Sequence, residues 1–178
     1  MKSGLLILLD GVTSAGKTSL ATHIAKKVNG SVVLSVDTFI LRRSNRLRWF
    51  FKSKCLRQNL DFLSIAKEFH SEIVRTSSRH NIVVVDTILL DARMRDDIQE
   101  RVDRNCLLYI QVYCPLKILE ERERNRGSCK IGGAESQFDN VYSYLNYDLK
   151  VDTGKFSTAD CAQKVLDFLH NKLLKSNL

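Results

Sequence analysis

Residues 11–18 read Gly-Val-Thr-Ser-Ala-Gly-Lys-Thr and satisfy G-x-x-x-x-G-K-[ST] at every constrained position. No other stretch restricts the fold as tightly, because this loop functions only between a buried strand and the start of a helix. The apolar run Leu5 to Leu9 precedes it, and an amphipathic stretch follows from Gly16 to Val28. Glycine at 11 and 16 lets the backbone curl until successive N–H groups face phosphate oxygens. The helix N-terminus adds a favourable partial charge. The candidate phosphate-binding residues are therefore Gly11, Val12, Thr13, Ser14, Ala15, Gly16, Lys17, Thr18 and Ser19. Lys17 is placed to reach β- and γ-phosphates, and the Thr18 hydroxyl to ligate Mg²⁺. The competing reading is a chance glycine turn with an exposed lysine. Average composition produces the four fixed positions in roughly one chain of this length in a few hundred, and the strand-before, helix-after context lowers that further.

The rest of the chain alternates in the same way. Leu5–Asp10, Val32–Asp37, Ile82–Asp86, Cys106–Tyr113 and Asp148–Asp152 are expected as strands. Most are apolar on both faces, as in a parallel sheet covered from both sides. Helical patterns occupy Gly16–Val28, Asp61–Ser77, Asp91–Arg101, Pro115–Arg124 and Ala134–Leu145. A last helix follows Ser157, where Ser157-Thr-Ala-Asp160 reads as a capping box and Ala162, Val165, Leu166, Leu169 and Leu173 share a face. The expectation is an α/β fold with a five-stranded parallel sheet, helices on both faces, and right-handed crossovers. A chain of 178 residues without repeats or a Pro/Ser-rich linker fits one domain over 1–178.

Ligands of open α/β sheets sit beyond the carboxyl ends of the strands, and Asp10, Asp37, Asp86 and Asp152 occupy such ends. Asp86 closes Ile82-Val-Val-Val85 in the apolar-run-plus-acid pattern of a Walker B site and is the candidate second ligand of Mg²⁺. Asp37, at the second strand, is a candidate base that accepts a hydroxyl proton as oxygen attacks phosphorus. Aspartate after a strand also caps the following helix; that structural reading is preferred for Asp10.

Taken together, Gly11 to Thr18, Val36-Asp37-Thr38, Val83-Val-Val-Asp86, Arg122-x-x-x-Arg126-Gly127 and Val151-Asp152-Thr153 resemble the chloramphenicol phosphotransferase family of small P-loop kinases, in its order and over nearly the whole chain. The resemblance implies an adenylate-kinase-like P-loop NTPase fold with a short lid at about 122–134, and ATP-dependent phosphorylation of a small-molecule hydroxyl. It puts Asp37 at the general base, Arg122 and Arg126 at the lid arginines, and Asp152 near the adenine. Independently, a closing guanidinium stabilises charge on the transferring group. The alternative pairs these arginines, and Arg124, with Glu120, Glu121 and Glu123 on a solvated helix.

The segment after Asp37 departs from that family. The net charge is +8, and Arg42, Arg43, Arg46, Arg48, Lys52, Lys54 and Arg57 supply nearly all of it, with no acid between Asp37 and Asp61. Three readings of segment 38–60 stand side by side. It binds an anionic acceptor; it grips nucleic acid, with Trp49, Phe50 and Phe51 stacking on bases; or it is a solvated or partner-binding face around an apolar stripe of Leu47, Phe50, Phe51 and Leu56.

The expected activity is thus an ATP- and Mg²⁺-dependent phosphotransferase acting on an alcohol of a small molecule. A nucleotide or nucleic-acid-end kinase and a non-catalytic ATP-binding regulatory module are the alternatives. The absence of an N-K-x-D motif, and of D-x-x-G at Asp86, argues against a GTPase switch. Leu5 to Leu9 is too short to cross a bilayer and lacks signal-peptide flanks. Cys55, Cys106, Cys114, Cys129 and Cys161 show no C-x-x-C pair, so reduced thiols and a cytoplasmic location are expected. The four histidines are expected at the surface, and Cys106 and Cys114 as small core residues.

Overall fold

The structure is a computed structural model that describes residues 4–46, 61–126, 132–143 and 146–176. Among these, β1 (Leu5–Asp10), β2 (Ser31–Ser35), β3 (Ile82–Thr87), β4 (Leu107–Tyr113) and β5 (Leu149–Asp152) form one sheet. Its order is β2-β3-β1-β4-β5, with every neighbouring pair parallel. The helices are α1 (Lys17–Lys27), α2 (Val36–Arg46), α3 (Phe62–Ser77), α4 (Ala92–Arg101), α5 (Leu116–Arg126), α6 (Gly133–Ser143) and α7 (Thr158–Ser176).

Both sheet faces are covered, which explains why the strands read as continuous apolar runs. Leu6 and Leu8 point to one side, into a cluster with Phe69 and Ile73 of α3 and Met94 and Ile98 of α4. Ile7 and Leu9 point to the other, against Leu20 and Ile24 of α1 and Val165 and Leu169 of α7. Leu6, Ile7, Leu8 and Leu9 are all fully buried; a strand exposed on one face would alternate. The N-cap half of the expected capping box of α7 is present: the Asp160 N–H donates to Ser157 Oγ at 3.1 Å, while that hydroxyl, and not the Ser157 N–H, donates to the Asp160 carboxylate at 2.7 Å. Asp61 caps α3 by accepting from the N–H groups of Leu63 and Ser64. None of the described helices is long and apolar enough to cross a membrane.

Several expectations are corrected. The second strand ends at Ser35, and Val36–Arg46 is helix α2, so Asp37 sits in a first helical turn. No Gly or Pro separates the two elements. Val36, Phe39 and Ile40 supply an apolar face at helical spacing, and a carboxylate in a first turn is favoured by the helix dipole. The fifth strand begins at Leu149 instead of Asp148, whose carboxylate accepts from the Tyr109 N–H at 2.7 Å and from the Arg104 guanidinium. His70 is buried at 1% exposure, its Nδ1 2.8 Å from Asp97 Oδ2. Burial lowers its pKa more than Asp97 raises it. Cys114 is buried but Cys106 only partly. Leu47 to Leu60, Gly127 to Ile131, Tyr144 and Leu145 lie outside the described residues. They include Cys55, Cys129, Trp49, Phe50, Phe51 and four of the basic segment's cations, Arg48, Lys52, Lys54 and Arg57.

Asp10 is structural, as the sequence suggested, but it caps no helix. Fully buried, it accepts from the Leu89 N–H at 2.9 Å and the Tyr147 hydroxyl at 2.8 Å, tying the end of β1 to two loops. Burial raises its pKa from 3.8 to about 6 against the pull of those donors. The folded chain therefore holds this proton where the unfolded chain has released it, so stability declines as pH rises from about 4 to about 6. The contribution lost is on the order of 3 kcal/mol. Asp10→Asn keeps the acceptor for Leu89 and removes the buried charge. Its denaturation midpoint is expected to lack this decline, as followed by urea titrations at pH 4.5 and 6.5.

Candidate active site

In the sheet, the connection from β1 runs to β2 on one side and that from β3 runs to β4 on the other, which opens a crevice at the carboxyl ends of β1 and β3. The glycine-rich loop occupies that crevice. Gly11 is required by close approach: a Cβ there would lie 2.4 Å from the Val112 carbonyl oxygen. Gly16 is required by conformation, with φ of 87° as the N-cap of α1. Ser14, also left-handed at φ of 61°, carries that strain without being glycine. Val12 and Ala15 bury their side chains in the core and offer the crevice only backbone.

No side chain caps α1, so the first-turn N–H groups of Lys17, Thr18 and Ser19 have no intrahelical acceptor. Ser14 Oγ is buried without a hydrogen-bond partner. These orphaned donors fit a polyanion. Lys17 Nζ donates to the Val12 carbonyl at 2.9 Å. Desolvation lowers its pKa, and the charges of Asp86, Asp10 and Asp37 oppose that shift. Thr18 Oγ1 donates to Asp86 Oδ2 at 2.6 Å, and Ser35 Oγ approaches the same oxygen at 3.4 Å. Asp86 is 3% exposed, and burial pushes its carboxyl pKa up. A hydroxyl and a carboxylate in contact suit a hard cation that completes its shell with water and phosphate oxygens, as Mg²⁺ does. Among the described residues no group of three or more His, Cys, Asp and Glu gathers elsewhere to hold a metal.

Two clefts meet here. One, about 490 Å³, runs along the loop past Ser14, Thr18 and Ser19 to Arg122, Asn125 and Arg126 of α5. The other, about 510 Å³, lies between α2, α3 and α6, with Ile40, Ile65, Phe69 and Met94 on its apolar side and Ser136, Gln137 and Asn140 on its polar side. Thr13, Lys17, Asp37 and Asp86 line both. A group held by the loop and a molecule in the second cleft would therefore meet across those four residues, with the Asp37 carboxylate at the meeting point.

The two α5 arginines of the first cleft take different positions. Arg122 is half-buried and donates to the Thr153 carbonyl at 2.7 Å, the Thr153 hydroxyl at 3.2 Å and the Ser14 carbonyl at 3.4 Å. Thr153 Oγ1 in turn donates to the Ala15 carbonyl at 2.7 Å. Arg122 thus braces the loop's backbone while lining the first cleft. Arg126 is exposed at the end of α5, faces the first cleft, and its charge is felt at Lys17. The alternative pairing of Glu123 with arginine is overturned. Glu123 is 1% exposed and accepts from the N–H groups of Gly132 at 3.1 Å and Ala134 at 2.8 Å, closing the start of α6. Glu123→Ala leaves two N–H groups without an acceptor. The expected cost is about 1–3 kcal/mol, read as a lowered denaturation midpoint; Glu123→Gln, which keeps one acceptor, falls between.

Asp152 accepts from the N–H groups of Gly154 at 2.9 Å and Lys155 at 3.2 Å, shaping its own turn, and lines neither cleft. Of the basic segment, Arg42 and Arg43 face a separate cleft beside Glu68 and Glu72, and Arg43 pairs with Glu68. Sequence reasoning missed Asn125, Ser35 and the α6 trio Ser136, Gln137 and Asn140. Single neutral polar residues on a helix carry no motif, so no local signal distinguishes them from surface.

Comparison with known proteins gives one consistent frame. The family model for chloramphenicol phosphotransferase-like protein matches residues 4–170. A probable adenylyl-sulfate kinase of Pyrococcus abyssi is 27% identical over 92% of this chain and 93% of its own length. Among solved structures, the Mycobacterium tuberculosis APS kinase in complex with AMPPNP and APS superposes with a TM-score of 0.68 at 19% identity, over 96% of this chain and 99% of that one. Shikimate kinase from Acinetobacter baumannii in complex with shikimate superposes with a TM-score of 0.67 at 20% identity, over 98% and 94% of the two chains. The five-stranded parallel sheet with flanking helices is the fold of these P-loop kinases.

Proposed function

The chain belongs to the chloramphenicol phosphotransferase-like family, and from that premise we propose that it transfers the γ-phosphoryl group of ATP, with Mg²⁺, to a hydroxyl of a small molecule. The observation that carries this reading is the sharing of Thr13, Lys17, Asp37 and Asp86 between the loop cleft and the α2–α3–α6 cleft. Donor and acceptor enter from opposite sides of those residues.

In this reading the open amides of the loop and α1 bind the phosphates, and Lys17 leaves the Val12 carbonyl to neutralise the β- and γ-oxygens. Thr18 and Asp86 would hold Mg²⁺, which would supply charge neutralisation to the phosphates. Asp37 accepts the proton of the attacking hydroxyl. Arg126 stabilises charge on the moving group, while Arg122 acts on it through the loop it braces. The oxygen–phosphorus bond forms as the γ-phosphorus–bridging-oxygen bond breaks, and ADP leaves.

The acceptor-side cleft favours an uncharged, partly apolar alcohol. Apart from Lys17, its described lining has no cation, and Arg42 and Arg43 face elsewhere. An anionic acceptor is the second reading, favoured by the run of cations from Arg42 to Arg57 and by the adenylyl-sulfate kinase likeness. The test is transfer from γ-labelled ATP to chloramphenicol, shikimate, adenylyl sulfate and an oligonucleotide with a free 5′-hydroxyl, alongside a metabolite extract. Label on chloramphenicol or another uncharged alcohol is the expected result. Label confined to shikimate or adenylyl sulfate would replace it with the anionic reading, and label confined to the oligonucleotide with an end kinase. Binding of ATP without transfer to anything would make the chain a regulatory module.

A further inference from the structure

Helix α6 carries a side chain that reaches back to the glycine-rich loop over a separation of 124 residues: Gln137 Oε1 accepts the Thr13 N–H at 3.0 Å. A main-chain N–H requires an acceptor, so this bond fixes the orientation of the carboxamide. Oxygen faces Thr13, and Nε2 keeps two donors that no described protein group accepts. Gln137 is half-buried and lines the α2–α3–α6 cleft, while Thr13 lines both clefts. The carboxamide therefore stands in the second cleft, beside a residue that the two clefts share. Its helix is firmly seated, by Glu123 at its start and by the Tyr142 hydroxyl, which donates to the Val112 carbonyl at 2.9 Å. A donor held this way is already positioned before any ligand arrives.

We propose that Gln137 is a catalytic residue that donates, through Nε2, to an equatorial oxygen of the γ-phosphoryl group. This rests on the phosphotransferase reading above and adds to it a donor from α6, opposite the α5 arginines. Oε1 sets the angle of the carboxamide by holding Thr13, and Nε2 meets the phosphoryl oxygen on the acceptor side. The interaction distinguishes a triphosphate from a diphosphate, because only the former extends to the meeting point of the clefts.

Calorimetric titration of wild type, Gln137→Leu and Gln137→Glu with MgAMPPNP and MgADP separates the outcomes without any acceptor. Gln137→Leu removes both bonds. Gln137→Glu keeps an acceptor for Thr13, so it guards against loss of the loop's own geometry, and it deletes only the donor while adding repulsion. A hydrogen bond to a charged group implies weakening of MgAMPPNP by about tenfold or more. MgADP affinity is expected to stay within about twofold in both variants, with melting temperatures reporting the fold. Equal affinities for MgAMPPNP across the three proteins would overturn the proposal. Equal weakening of both nucleotides would assign Gln137 to the loop's structure alone and also overturn it. Failure of wild type to bind either nucleotide would remove the phosphotransferase reading itself, a result distinct from both.

Discussion

Lys17→Ala is expected to reduce phosphoryl transfer by about 10²–10³-fold or more, the scale at which a single preorganised charge stabiliser is lost. The side chain is half-buried between Asp86, Asp10 and Asp37 and held on the Val12 carbonyl. Its deletion removes the only described cation common to both clefts and leaves the Asp37 and Asp86 carboxylates facing an incoming polyanion. Affinity for MgATP falls along with turnover, unlike a change that touches only the chemical step. Steady-state transfer and MgATP binding, measured on the same folded protein, check both parts. Transfer within a few-fold of wild type would show that the charge at this position is not used.

Asp37→Asn isolates the proton transfer. Asparagine keeps the shape and the first-turn position on α2 but cannot take a proton from an attacking hydroxyl. Loss of a positioned general base slows the chemical step by about 10²–10⁴-fold. Asp37 is exposed and makes no hydrogen bond to the loop, Thr18 or Asp86 among the described residues, so MgATP affinity is expected to change little. The expected signature is a fall in kcat at nearly constant nucleotide affinity. Unchanged turnover would take Asp37 out of the mechanism and leave the hydroxyl to lose its proton to the phosphoryl group itself.

The sheet and most of its helices were legible because the signals were local and mutually consistent. Val83 to Val85 could only be buried on both sides, and the loop at Gly11–Thr18 needed a strand before it and a helix after it. The Thr18–Asp86 contact was legible too, since each lies at a motif position and the parallel pairing of β1 with β3 brings them together. What was not legible depends on partners far away in sequence. Val36 and Asp37 read as the end of a strand until α3 provides Phe69 for Phe39 to pack against, at 5.3 Å between ring centroids. Glu123 resembled a helix-surface acid among arginines, but the amides of Gly132 and Ala134 arrive to bury it. Arg122 and Arg126 share one motif, yet Thr153 claims only the first. Gln137 had no signal at all, because its partner at Thr13 is set by how α6 crosses the loop.

The most direct test of the central claim is calorimetric uptake of a nucleoside triphosphate by folded wild-type chain in the presence of Mg²⁺. The account predicts saturable binding of MgATP at one site per chain, weakened when Mg²⁺ is chelated and largely abolished in Lys17→Ala. No heat of binding from MgATP or MgGTP, on protein shown by circular dichroism to be folded, would contradict it.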